Sequence, residues 1–134
     1  MYTWFSEALA REYDTERVLK ESPRGSVKLL RHRESGKRFV LRQFQGNSEV
    51  YRKLLQYTCP NLPVIYEAVA DGEHALVLEE YIQGDTLGFL LQDACFSQKE
   101  TRRIVLQVCR ALWVLHSLGA VHRDVKPENI ILRG

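Results

Sequence analysis

VHRDVKPENIIL, residues 121–132, packs an acid, a lysine and a carboxamide into one short stretch near the end of a 134-residue chain. Asp124, Lys126 and Asn129 lie within six residues, so a single loop can aim all three at one point. Their chemistries are complementary. A carboxylate accepts a proton, an ammonium meets an anion, and a carboxamide oxygen is a ligand for a hard cation. The plain alternative is a polar loop that merely follows a helix.

The segment before it, SQKETRRIVLQVCRALWVLHSLG (97–119), has a helical period. Ser97 and Glu100 match a capping box, Ile104, Val108, Leu112 and Leu115 form an apolar stripe, and Gly119 supplies a stop. TLGFLLQDA (86–94) reads as a shorter helix. Upstream of Gln83-Gly84-Asp85 the pattern changes to strands. VIYEAVA (64–70) and HALVLEEYI (74–82) flank Asp71-Gly72, a strong hairpin signal. Gly46-Asn47-Ser48 opens a helix over EVYRKLLQY (49–57), which CPNLP (59–63) ends. RVLKE (17–21), SVKLLRH (26–32) and RFVLRQF (38–44) have strand character and are separated by turns at 22–25 and 34–37. Residues 2–13 read as an amphipathic helix with Trp4, Phe5, Leu9 and Tyr13 nearly on one face. The layout is one helix, five strands with a helix inserted, then two helices and a loop. That is an α+β chain with a small, mainly antiparallel sheet.

The bulk numbers exclude more than they assign. Hydrophobic residues make up 45% and charged residues 27%, ordinary for a globular chain. A net charge of +2 gives no argument for nucleic acid or an anionic membrane. No uninterrupted apolar run approaches the roughly 18 residues of a membrane span. The N-terminus carries acids and lacks a basic-then-apolar leader pattern. Cys59, Cys95 and Cys109 lie far apart, which predicts reduced thiols, small core residues and a cytoplasmic protein.

The order of elements ending in HRDVKPEN resembles the eukaryotic-type protein kinase fold, of the serine/threonine class, over residues 17–134. The resemblance implies an N-terminal lobe and hinge at 17–82: a five-stranded antiparallel sheet plus one helix. It implies the first helices of the C-terminal lobe at 83–134, ending after the catalytic loop, with a helix at 1–16 outside the match. It further implies ATP and Mg²⁺ as cofactors and a protein as substrate. Asp124 would be the catalytic base, Lys126 would contact the γ-phosphate, and Asn129 would bind the metal.

Elsewhere the chain departs from the family pattern. KESPRGSV (20–27) stands where G-x-G-x-x-G-x-V is usual, and only Gly25 and Val27 fit. Pro23 also removes a backbone donor. FVLR (39–42) stands for V-A-I-K, so Arg42 replaces the phosphate-pairing lysine and Val40 replaces the small residue on adenine. Glu49, opening its helix, would pair with Arg42. Glu79 falls at the gatekeeper position, which is usually apolar. Glu80 and Ile82 would offer backbone groups to adenine, Val27 would roof it and Leu132 would floor it.

The family's DFG segment lies about a dozen or more residues beyond the catalytic loop, so this chain reads as a domain truncated before it. Such a piece is expected to be inactive alone and to self-associate through uncovered apolar surface. The competing reading is a pseudokinase, a nucleotide-binding or scaffolding module, favoured by Arg42, Glu79 and the poor glycine loop. A remote third is an unrelated α+β binding domain.

Overall fold

A computed structural model describes residues 2–119 and 125–133. The chain divides into two compact units, Met1–Thr58 with Pro63–Tyr81 and Cys59–Leu62 with Ile82–Gly134. In the first unit the order is α1 (Tyr2–Glu12), β1 (Tyr13–Ser22), β2 (Gly25–His32), β3 (Arg38–Gln45), α2 (Glu49–Leu54), β4 (Ile65–Asp71) and β5 (His74–Glu80). The five strands form one sheet in the order β1-β2-β3-β5-β4, each pair antiparallel. The fold class expected from the sequence is the one found.

Strand alternation sends Leu30, Phe39, Leu41 and Leu78 to one face of this sheet. Helix α1 covers it: Leu9 is buried in one cluster with Leu30, Phe39 and Leu78, and Phe5, Tyr13 and Leu41 pack around them. Phe5 and Leu9 are four residues apart and share one side of the helix. Trp4 sits a residue earlier, about 100° around the axis, and is 64% exposed. The single apolar face read from the sequence therefore holds for Phe5 and Leu9 and fails for Trp4.

Arg33, in the β2–β3 turn, holds the end of α1 in place. Its guanidinium donates to the carbonyls of Arg11 (2.8 Å) and Ala10 (3.3 Å) and to the Asp14 carboxylate (2.9 Å). One planar cation thus satisfies two carbonyls that the helix end leaves without internal partners.

Strand β1 is longer than the sequence predicts, because pairing with β2 recruits the polar residues 13–16. It is an edge strand, exposed along nearly its whole length and studded with charge, which discourages further strand addition. Helix α2 is shorter than predicted. It tightens at Leu55 and Gln56 into bonds reaching three residues back, a 3₁₀-type finish.

The second unit holds β6 (Gly84–Thr86), α3 (Leu87–Leu90), α4 (Gln98–Ser117), a 3₁₀ turn (Pro127–Asn129) and β7 (Ile131–Arg133). Strands β6 and β7 pair antiparallel, a small sheet the sequence reading did not include. Helix α4 begins at the predicted capping box, with Ser97 accepting from the Glu100 amide and Glu100 accepting from the Ser97 amide. Gly119 follows its last turn with φ +84°, as a helix stop requires. Leu115 is buried, while Val105, Leu106 and Trp113 lie on the exposed side, Trp113 at 72%. Cys95 and Cys109 are also exposed and Cys59 is half-buried, so the expectation of three core cysteines is corrected. Cys109 falls on the outward side of α4, off the stripe that ends in Leu115.

Leu9→Ala is expected to lower global stability by about 2–5 kcal/mol, because it empties a closed core site. Arg33→Ala is expected to leave the denaturant midpoint nearly unchanged while accelerating amide exchange in α1 alone. Equal exchange in α1 and the sheet after Arg33→Ala would show that the guanidinium does not hold the helix.

Candidate functional site

The opposite face of the first sheet carries four of the candidate residues, Val27, Val40, Arg42 and Glu79. Val27, Arg42 and Val77 stand in register across β2, β3 and β5, and Leu29, Val40 and Glu79 form the next row on that face. Arg42 and Glu79 are therefore diagonal neighbours on adjacent strands, close enough for long side chains to meet. They do: Arg42 Nε donates to Glu79 Oε1 at 2.7 Å. Helix α2 lies on this side, where Tyr51 packs against Phe44 with ring centroids 5.6 Å apart.

This arrangement corrects one expectation. Arg42 does not pair with Glu49. The Glu49 carboxylate is 65% exposed and meets Lys53 one turn along its own helix, at 3.5 Å. The physical reason is register. Glu79 is already on the sheet, two residues from the partner directly opposite Arg42, whereas Glu49 stands in the first turn of a two-turn helix.

Glu79 is 4% exposed, at the end of a strand whose preceding four residues, Ala75 to Leu78, are all buried. Burial pushes its carboxyl above the ordinary value of 4.5, against the opposing charge and hydrogen bond of Arg42. Burial likewise raises the Tyr51 phenol, with Arg42 pulling it down and Glu79 pushing it up, so Tyr51 is within electrostatic reach of both. Tyr51 is a site neighbour that the sequence reading missed. The Arg42–Glu79 pair did leave a signal in the sequence, as a cation inside FVLRQF and an acid directly after the apolar run Ala75–Leu78.

Gly25 is needed for reasons apart from any ligand. A Cβ at this position would collide with the Gln43 carbonyl and crowd the Phe44 backbone, so β2 and β3 approach closely only through glycine. Val27 is half-buried and Val40 buried. The amide of Glu80 donates to the Val64 carbonyl at 2.8 Å, and its carboxylate accepts from the Val64 amide at 3.1 Å. The Glu80 N–H is thus committed within the sheet.

In the second unit, Leu132 is half-buried in β7, opposite Asp85 of β6, and Ile82 is half-buried. The Leu87 amide donates to the Ile130 carbonyl at 2.7 Å, which ties the chain's last strand to the start of α3. Lys126 and Asn129 flank the 3₁₀ turn, exposed, with the Asn129 amide donating to the Lys126 carbonyl at 2.9 Å. Asp124, with His122 and Arg123, lies outside the described residues. Among the described residues no group of three or more His, Cys, Asp or Glu side chains could hold a metal ion.

A five-stranded antiparallel sheet followed by helices and an HRDxKxxN segment is an α+β arrangement consistent with the resemblance drawn from the sequence. The family comparison makes this specific. The model of the protein kinase domain matches residues 13–134, and the chain belongs to that family. It is 30% identical over 130 residues to the serine/threonine-protein kinase SBK2 of Rattus norvegicus, covering 90% of this chain and 36% of that protein. It is 25% identical over 138 residues to the serine/threonine-protein kinase DCLK3 of Mus musculus, covering 96% of this chain and 18% of that protein. Among solved structures it is similar to Rad53 1-466 in complex with AMP-PNP, with TM-score 0.72, 23% identity, and coverage of 98% of this chain and 39% of that one. The chain thus spans well under half the length of each of these relatives.

Because the folded chain binds the Glu79 proton more tightly than the unfolded chain, Glu79's contribution to stability falls as pH rises from the ordinary carboxylate value through the raised one. Glu79→Gln cannot ionise. Denaturation from about pH 4 to about pH 7 should therefore show the variant gaining stability relative to the parent. The opposite trend would mean that Arg42 outweighs burial.

Proposed function

We propose that this chain is part of an ATP-dependent serine/threonine protein kinase, with residues 17–82 as the N-lobe and hinge and 83–134 as the start of the C-lobe. The reaction is transfer of the γ-phosphoryl group of ATP to a protein hydroxyl. One observation carries the reading: in a chain of the protein kinase domain family, the Arg42 cation is half-exposed beside Val27 and Val40 on one sheet face. A fixed cation next to apolar side chains suits a ligand with an anionic end and a flat, weakly polar end.

The catalytic roles follow the resemblance. Asp124 orients the acceptor hydroxyl and takes its proton, and Lys126 offsets charge on the transferred phosphoryl group. Asn129 would offer one carboxamide oxygen of the kind Mg²⁺ accepts, beside phosphate oxygens of the nucleotide. When bound, the metal would neutralise phosphate charge. We place the chain in the cytoplasm; among the described residues no helix is long and apolar enough to cross a membrane.

A second reading, the pseudokinase, is favoured by the solvent-exposed Glu49 and by Pro23 in the loop that should donate amides. Calorimetric titration with ATP, with and without Mg²⁺, separates binding from its absence. Saturable binding that weakens in Arg42→Ala is expected. No heat at millimolar ATP would remove the nucleotide from the reading and leave a scaffold. In a polypeptide that includes the rest of a kinase domain, Asp124→Ala should cost about 10²–10⁴-fold in transfer rate. Retained activity there would remove Asp124 as the base.

The exposed side of α4, with Val105, Leu106 and Trp113, is the surface through which we expect the chain to self-associate. Light scattering should report a mass that rises with concentration and falls back in Trp113→Glu. A concentration-independent monomer would count against it.

A further inference from the structure

The two most unusual residues of the site, an arginine where lysine is usual and an acid where an apolar residue is usual, bind one another. Each departure is costly or unhelpful by itself. A carboxylate almost fully withdrawn from water is strongly unfavourable without a partner. An arginine in a lysine's place is a fork in the place of a point charge. Together they make one coherent device. Arg42 uses Nε alone to hold Glu79, and its four other N–H donors make no hydrogen bond to any described residue. Its side chain is 40% exposed, against 6% for the side chain of Glu79. The guanidinium is therefore anchored at one edge by a buried acid and open at the other, the arrangement that binds phosphate oxygens bidentately. A lysine ammonium, with no rigid fork, cannot divide its two duties in this way.

Resting on the nucleotide-binding reading above, we propose that Glu79 is the positioning residue for Arg42, and that Arg42 grips the nucleotide's phosphates with its two terminal nitrogens. The acid that orients the phosphate-binding cation sits on strand β5, and Glu49 on helix α2 has no part in that task. The grip is then set by the hydrogen-bonded sheet, whose register fixes the distance, and is independent of where α2 lies. The groups facing the pair are Tyr51 from α2 and the apolar Val40 and Val77 of its own strands. No second acid competes for Arg42 among the described residues.

The test is calorimetric titration of the whole chain and its Glu79→Gln, Glu49→Gln and Arg42→Lys variants with two probes, ATP and adenosine. Circular dichroism establishes that each variant is folded. Glu79→Gln should weaken ATP binding about tenfold, the scale of one charge-assisted contact, and leave adenosine within about twofold. Glu49→Gln should change neither. Arg42→Lys should weaken ATP and spare adenosine, because a point charge loses the fork. A Glu79→Gln variant that loses ATP and adenosine equally would overturn the proposal, since the acid would then shape the base site or the fold. Selective loss of ATP by Glu49→Gln, or tighter ATP binding by Arg42→Lys, would overturn it as well, by returning the cation to α2. If the parent chain binds adenosine and ATP while Glu79→Gln matches it, the positioning role alone falls. If the parent binds neither probe, the nucleotide reading falls and takes the proposal with it.

Discussion

Strand β3 is hydrogen-bonded on both sides, to β2 and to β5, and its register decides what every residue of the first unit can do. A side-chain period of two leaves no tolerance: a slip of one residue against β5 would turn Arg42 and Glu79 to opposite faces. The same slip would carry Phe39 away from α1 and into the space where α2 lies. Close approach at Gly25 helps to pin this register, because only a residue without Cβ lets the end of β2 reach Gln43 and Phe44. Packing on one face and electrostatics on the other are thus two readings of a single alignment.

Helices and strands were legible in the sequence wherever a periodic apolar pattern met a turn or cap. The box at Ser97 and Glu100, the Asp71-Gly72 turn and the alternation along RFVLRQF each carry their own local cause. What was not legible depended on partners distant in sequence. The first residues of β1 are polar and become strand only because β2 offers a ladder. Strands β6 and β7 are three residues each and lie 45 or more positions apart, too short and too separated for any local signal. Cys95 lies in the stretch before α4 and Cys109 off its apolar stripe, so their exposure follows from position, which composition does not carry.

The site divides along the same line. Residue types and spacing pointed to the Asp124–Lys126–Asn129 group, the resemblance to the family pattern pointed to Arg42 and Glu79, and the family match agrees with the kinase reading of the chain as a whole. Pairing was the part that failed. The resemblance offered Glu49 as the partner of Arg42, and strand geometry gave it Glu79. A family pattern transmits which positions carry charge; it does not transmit which of two acids wins when a new one appears on a neighbouring strand. That contest is settled by reach, and a diagonal neighbour in a sheet needs less chain ordering than a side chain on a short helix.

Helix α1 lies before the stretch matched by the family model, yet Leu9 is buried among Leu30, Phe39 and Leu78. The helix therefore acts as a built-in cover for the sheet's outer face, latched by Arg33 at its far end. With that cover in place, the sheet can carry large apolar residues on both sides without presenting either to water. A polypeptide begun at residue 13, the first residue of the family match, would lift the cover and lay Leu30, Phe39 and Leu78 open together. The packing of this sheet therefore extends a full helix upstream of the boundary that sequence similarity draws.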